Sequence, residues 1–401
     1  MRKIALLLLL TQLAFGQKTA SKSGGIQFRA GSVDALFAEA RRTNKPVFVE
    51  IYSPTCHVCQ SFMPTLADSR VGRFYNDKYL STKLDIALPS TRKFLDSRRL
   101  FVPSLPLFLY FDPQQNLIHF AMSNNSVDEV IRQGTLALNP QTRSQTMKAR
   151  YQQGERANNF LIDYAMLSRV TKDTLAGIAA MSDYARQQSP ATYANQTNFL
   201  ALQKLVLDFE NPMAQYMVNH LDKYRQFDNE NVRARDVAEN ILMSSLFSGR
   251  GAQYPIAKIL QIRQDLVKIG IDPKVAANRT LLPEVNAYFR ARQTGKATER
   301  MDNQVASNQL TVPEYIYISR LFNRASPDAS DVPTVVKWVN KGLALKPGAG
   351  EQADLYFELA DAYRRAGKVA DARAAAQKSM DTARSAGLNT SRNTQQLGRL
   401  K

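Results

Sequence analysis

All the cysteine in this 401-residue chain lies in one tetrapeptide, Cys56-His57-Val58-Cys59. The run Val47 to Tyr52 just before it is β-branched and aromatic, the composition of a buried strand. Gln60 to Leu66 just after it reads as a helix with Pro64 in its second turn. A pair of thiols therefore sits at a strand-to-helix turn. With 2 Cys and 3 His in the whole chain, neither a disulfide-stapled scaffold nor a zinc ribbon can be built. A Cys-x-x-Cys bridge closes so small a loop that it stabilises a fold little through chain entropy. A redox-active pair explains the residues better than a structural disulfide does.

The neighbouring segments give the turn a context. Val33, Leu36, Phe37 and Ala40 recur at helical spacing behind Ser32 as N-cap. Thr43-Asn44-Lys45-Pro46 breaks that helix before the first strand. Tyr79 to Asp85 predicts a second strand, and Ser90 to Arg98 predicts a helix. Leu107 to Phe111 and Leu117 to Phe120 predict a hairpin across Asp112-Pro113-Gln114-Gln115-Asn116. Ser126-Val127-Asp128-Glu129 has the form of a capping box opening a last helix, with Val127, Val130, Ile131 and Gly134 on one face. The order is βαβ, then a β-hairpin and a helix. Glu50 interrupts the first apolar strand. A carboxyl buried there loses hydration, so its pKa is expected to rise.

Over residues 26–138 this arrangement resembles the thioredoxin-like family. Cys56-His57-Val58-Cys59 matches the family's redox motif, and Lys45-Pro46-Val47-Phe48-Val49-Glu50 matches its lead-in strand. Glu50 falls where the family often keeps a buried acid. Pro64 matches the proline of the active-site helix, Leu105-Pro106 the cis-proline, and Asp85 the end of the second strand. Thr55 stands where Trp is usual, and His57-Val58 matches neither the reducing nor the oxidising members. The resemblance implies an α/β thioredoxin fold, a central mixed sheet flanked by helices. It implies Cys56 as nucleophile, Cys59 as the more buried resolving thiol, and Pro106 beside the sulfurs, where an extended peptide could pair with backbone groups. Cys56 at a helix N-terminus meets free N–H groups and the positive end of the macrodipole, which favour a thiolate. His57 and Val58 would modulate the pair. Glu50 is positioned to take the Cys59 proton during resolution.

Other parts of the chain set compartment and partners. Arg2 and Lys3 precede the apolar stretch Ile4 to Phe15, and Ala14-Phe15-Gly16 places small residues at a cleavage site. Residues 1–16 thus have the layout of a secretory signal peptide, and the mature protein is expected to be exported, periplasmic or secreted, and soluble, with no transmembrane segment after cleavage. Beyond the polar break Asn139 to Ser144, residues 145–388 read as successive helices, with apolar stripes such as Val237, Ala238, Ile241, Leu242 and Leu246. Tyr356, Leu359, Ala360, Tyr363, Gly367 and Ala372 match positions of a tetratricopeptide repeat, and Gly342 to Pro347 resembles the end of a preceding one, so degenerate TPR-like repeats are expected near 312–387. Ala376 and Ser379 depart from that pattern. Residues 389–401, rich in Ser, Thr, Asn, Gln and Arg, are expected to fray.

The formal net charge of +18 is spread along the chain without a basic run or nucleic-acid motif, so nucleic acid is not expected as a partner. No cofactor-binding or metal site is expected either. The function expected is that of an exported thiol–disulfide oxidoreductase that reduces, oxidises or isomerises disulfides in envelope proteins. Its partners would be protein thiol or disulfide clients, a redox donor or acceptor, and a protein held by the helical domain. The alternative is a non-enzymatic scaffold with a vestigial thioredoxin module.

Overall fold

The computed structural model describes residues 24–400. The expected leader, residues 1–16, lies outside them. Contacts divide the chain into two compact units after Tyr184.

In the first unit, β1 (Val47–Tyr52), β2 (Leu80–Asp85), β3 (Leu107–Phe111) and β4 (Leu117–Ala121) form one mixed sheet in the order β2-β1-β3-β4. β1 runs parallel to β2 and antiparallel to β3, and β3 and β4 form the hairpin. The flanking helices are α1 (Val33–Thr43), α2 (His57–Leu66), α3 (Ser69–Lys78), α4 (Pro89–Ser97) and α5 (Val127–Leu138). Alternation along the strands sends successive side chains to opposite faces. Val47, Val49, Ile51, Leu107 and Leu109 pack with Leu36 and Phe37 of α1 and Phe94 and Leu95 of α4. Phe48, Phe108 and Tyr110 pack with Phe62 and Leu66 of α2, Val71 and Tyr75 of α3, and Val130 of α5. Full burial of such a side chain is worth about 1.5–3 kcal/mol, so both layers are strongly held to the sheet.

Local sequence accounts for most of these ends. Ser32 caps α1, its hydroxyl accepting from Ala35 N–H at 3.1 Å, and Asn44 ends it in the left-handed region at φ 50°. At α5 only half of the expected capping box forms. Ser126 Oγ accepts from Glu129 N–H, but the Glu129 carboxylate turns to Arg132 and Gln133. Gly134 on that helix has a packing reason: a Cβ there would lie 2.6 Å from the Phe74 ring. α3 is an element that the sequence reading passed over. Asp68 caps it, and it places Tyr75 against Tyr110 through a 2.8 Å hydroxyl contact.

The first unit extends past the polar break at 139–144. Ser144 is buried and its backbone N–H donates to Nδ1 of His119 on β4 at 3.0 Å. After α6 (Met147–Gln152), α7 (Asn158–Val170) delivers Val170 into the core with α1 and α4, and Phe101 N–H donates to its carbonyl at 2.8 Å. α8 (Thr174–Gln187) carries the chain across the division.

Beyond α8 the second unit is helical: α9 (Gln196–Lys204), α10 (Pro212–Asn219), α11 (Ala234–Phe247), α12 (Ile256–Lys268), α13 (Pro273–Arg290), α14 (Thr294–Ser307), α15 (Val312–Ala325), α16 (Val332–Ala344), α17 (Ala349–Arg365), α18 (Val369–Ser385) and α19 (Ser391–Gly398), with short 3-10 turns between some of them. α17 and α18 pack along each other, joined at Gly367 with φ 71°. Their core surrounds the fully buried Trp338 and Phe322. The end of the chain, expected from its composition to fray, carries a packed helix. α19 folds back, Asn393 Nδ2 donating to Ser379 Oγ at 2.7 Å and Gln396 Nε2 to the Phe357 carbonyl at 2.9 Å. Leu400 is buried beyond it. Ser379, one of the departures from the repeat pattern, is thus one of the residues that hold the tail.

Among the described residues, no helix is long and apolar enough to cross a membrane.

Candidate functional site

The end of β1 and the start of α2 bring the two thiols together. Cys56 is the N-cap of α2 in extended conformation, and its Sγ accepts the Cys59 N–H at 3.1 Å. The sulfur occupies the place that a serine or aspartate oxygen takes at an ordinary helix start. Free helical N–H groups converge there and favour negative charge. Both cysteines are free; Cys56 is half-buried and Cys59 buried. Burial pushes the Cys59 thiol up to about 11, reinforced by its hydrogen bond to Cys56 and by the charges of Cys56 and Glu50, against a backbone hydrogen bond from Ser53. The two sulfurs thus differ in environment, one at an accessible helix end and one behind it.

Glu50 lies on the α2 side of β1, between Lys83 on β2 and Phe108 on β3 in the strand register. It is 4% exposed. No hydrogen bond or ion pair within the described residues reaches its carboxyl. Burial raises its pKa to about 7, with the Lys83 charge opposing. Lys83 in turn holds its ammonium over the Phe28 ring at 5.6 Å and the Tyr52 ring at 5.2 Å from the centroids. Glu50, Lys83 and Cys59 all line one cleft of about 560 Å³ behind the dithiol.

Leu105-Pro106 is a cis peptide bond. The Leu105 carbonyl lies 4.0 Å from Cys56 Sγ, so the loop that enters β3 borders the accessible sulfur. Pro106 is buried, while His57 and Val58 are exposed on the first turn of α2. Cys56, Cys59, Glu50 and Pro106 are therefore gathered around one point, with His57 and Val58 on its solvent side. The sequence reading missed Lys83, Tyr52 and the segment 24–28 that walls the cleft. Only the strand register puts Lys83 opposite Glu50, and no local pattern announces a register. Among the described residues no cluster of His, Cys, Asp and Glu is arranged to hold a metal ion.

Compared with known proteins, the chain matches no protein-family model and no curated protein. Among solved structures it is similar to a disulphide isomerase from Xylella fastidiosa Temecula1, at 13% sequence identity and a TM-score of 0.21, over 29% of this chain and 90% of that one. So slight a likeness carries no argument about fold or activity.

Proposed function

We propose that the first unit is a thioredoxin-fold thiol–disulfide oxidoreductase, exported through the leader at residues 1–16 and acting on protein disulfides. The observation that carries this reading is the asymmetry of the pair: Cys56 Sγ at the helix N-terminus, accepting the Cys59 N–H at 3.1 Å, and Cys59 buried behind it beside an unpartnered carboxyl. The βαβ order, the sheet order β2-β1-β3-β4 and the position of Pro106 support it.

In the reducing direction the Cys56 thiolate attacks one sulfur of a client disulfide. A Cys56–client bond forms and the other client sulfur leaves as a thiolate. Cys59 then gives its proton to the Glu50 carboxylate and attacks Cys56 Sγ. The intramolecular disulfide forms, and the client's second sulfur leaves. Two electrons pass from the dithiol to the client, and the reverse sequence oxidises a client dithiol. A thiol pushed up to about 11 is almost wholly protonated near neutral pH. Resolution therefore needs a base, and a carboxyl that titrates near 7 is matched to the task. An extended client strand would lie along the Leu105 carbonyl, and His57 and Val58 would meet it from the other side.

The helical unit is proposed to hold a protein partner or client, its TPR-like pair α17 and α18 supplying part of the surface. It would raise the local client concentration without entering the thiol chemistry.

The deciding measurement is stopped-flow kinetics of mixed-disulfide formation and release in Glu50→Gln. Formation should be unchanged and release slowed by about two orders of magnitude, the usual worth of a positioned base. Release that keeps the wild-type rate at neutral pH would remove Glu50 from the mechanism. A protein in which neither Cys56 nor Cys59 exchanges at all would leave the scaffold alternative.

A further inference from the structure

The cleft behind the dithiol is more than a gap beside Glu50, because its outer wall is built. Ile26 N–H donates to the Leu66 carbonyl at 2.8 Å, Gln27 N–H to Asn76 Oδ1 at 2.8 Å, and Arg29 N–H to the Ser81 carbonyl at 2.8 Å. Gly25, at φ 76°, lets this segment pass against α3, where a Cβ on Gly72 would lie 2.2 Å from the Gly25 carbonyl oxygen. The wall is therefore tied down along its length. The volume, about 560 Å³, falls within the range of preformed small-molecule sites.

Its lining is divided by chemistry. Ile26, Phe28, Met63 and Leu66 supply apolar surface, and Met63 is 66% exposed at the mouth. At the other end stand Lys83 and Glu50. No carboxylate of the described residues pairs with the Lys83 ammonium, which rests on two aromatic rings instead. The Glu50 carboxyl is almost fully buried and lacks a partner. A protonated carboxyl and an ammonium are both donors, so the group that satisfies both is an anionic acceptor. An organic cation would meet Lys83 head on.

We propose that this cleft binds a small amphipathic carboxylate, its apolar body against Ile26, Phe28, Met63 and Leu66 and its carboxylate between Lys83 and Glu50. On the redox reading proposed above, on which this consequence rests, the bound molecule occupies the proton acceptor of Cys59. It therefore holds the enzyme at the mixed disulfide. The titratable groups facing Glu50 are Lys83 on β2, Tyr52 on its own strand with Asp85 beyond it, and Cys59 on α2; β3 presents Phe108 and the segment 24–28 presents none. Ionisation of Glu50 removes one donor and adds a repelling charge, so affinity falls as pH rises through about 7.

The probe is sodium octanoate, titrated calorimetrically into the full-length reduced protein, with octan-1-ol and octylamine as the neutral and cationic counterparts. Octanoate should bind saturably and at least about tenfold more tightly than either, and should weaken about tenfold between about pH 6 and about pH 8. Lys83→Gln and Met63→Glu should each weaken it; Met63 is exposed, so that variant should fold. Octylamine binding better than octanoate would overturn the charge assignment. Equal binding of all three, or octanoate binding unaffected by both substitutions, would overturn the site. The same titration in Cys56→Ser/Cys59→Ser is independent of redox activity. Binding there upholds the site whatever the dithiol does, and a wild-type chain that binds octanoate but exchanges no disulfides upholds the site and overturns the redox reading. Slower release of the mixed disulfide with octanoate present upholds both.

Discussion

Among the described residues, the second unit buries four carboxylates and every one has an arginine, whereas the first buries Glu50 with none. Glu284 accepts from Arg263 at 3.0 Å and Arg300 at 2.9 Å, Asp331 from Arg365 at 2.6 Å, and Glu358 from Arg320 at 2.7 Å, while Asp208 is held by Arg250, Ser245 and Tyr254. Removing a charge from water costs several kcal/mol unless a partner compensates. In the helical unit those pairs tie one helix to another: Arg263 on α12 and Arg300 on α14 to Glu284 on α13, Arg320 on α15 to Glu358 on α17. These are fold-building carboxylates. Glu50 has only the opposing charge of Lys83, and its pKa climbs to about 7. A carboxyl left in that condition beside a dithiol holds no two elements together, which is what supports the proton exchange proposed for it.

The largest effect that sharpens this contrast is at the sulfurs. Cys56→Ser should reduce disulfide exchange to background. Cys59→Ser should keep the attack and accumulate mixed disulfides, visible as client adducts in intact mass spectra. Iodoacetamide at neutral pH should label Cys56 well before Cys59, because the Cys59 thiol stays protonated. Equal labelling rates would erase the asymmetry on which the site is built.

Breaking a paired carboxylate comes next. Arg365→Ala leaves Asp331 buried without its guanidinium, and should cost about 3–5 kcal/mol in denaturant unfolding. Glu50→Gln should move the other way at alkaline pH. The folded protein holds the Glu50 proton up to about pH 7, whereas the unfolded chain releases it near 4.5. Stability therefore falls as pH rises between those values, and the loss is complete above the upper one. It amounts to on the order of 3 kcal/mol. Glu50→Gln should abolish that dependence and be the more stable protein at about pH 8. Parallel stability–pH curves for the two proteins would mean that Glu50 is hydrated or paired after all.

Much of this was legible from residues alone. The apolar runs at 47–52 and 107–111 state their burial, Ser32 and Ser126 state two helix starts, and the position of Cys56 after β1 states the helix-end thiol. Glu50 could be singled out because a carboxyl within an apolar strand has few cheap surroundings. What stayed hidden depends on partners far along the chain. Lys83 faces Glu50 through strand register, segment 24–28 is held by Leu66, Asn76 and Ser81, and the first unit's extension past 144 rests on Ser144 meeting His119 and Val170 reaching the α1 side of the sheet. A cut near Thr142, the boundary suggested by composition, would strip both. A cut after Gln187 keeps them and is the better test of whether the second unit serves only to recruit clients.

The smallest effect tests the neutral version of the same comparison, at the end of the chain. Ser379 Oγ donates to the Ala353 carbonyl at 2.6 Å and accepts from Asn393 Nδ2 at 2.7 Å, all three residues being buried. Nothing here is charged, so the cost of losing a partner is that of an unsatisfied amide donor. Ser379→Ala should destabilise by about 1–2 kcal/mol. Because α19 is tied on by Asn393 and Gln396, the loss should be read first as faster amide hydrogen exchange across Ser391–Gly398. Replacing both partners, Ser379→Ala with Asn393→Leu, removes the orphaned amide as well and should recover part of that protection. If the single variant exchanged no faster than wild type, the Ser379–Asn393 contact would contribute nothing to the order of α19. Its place would then rest on Gln396, on the Arg392–Asp354 pair and on Leu400.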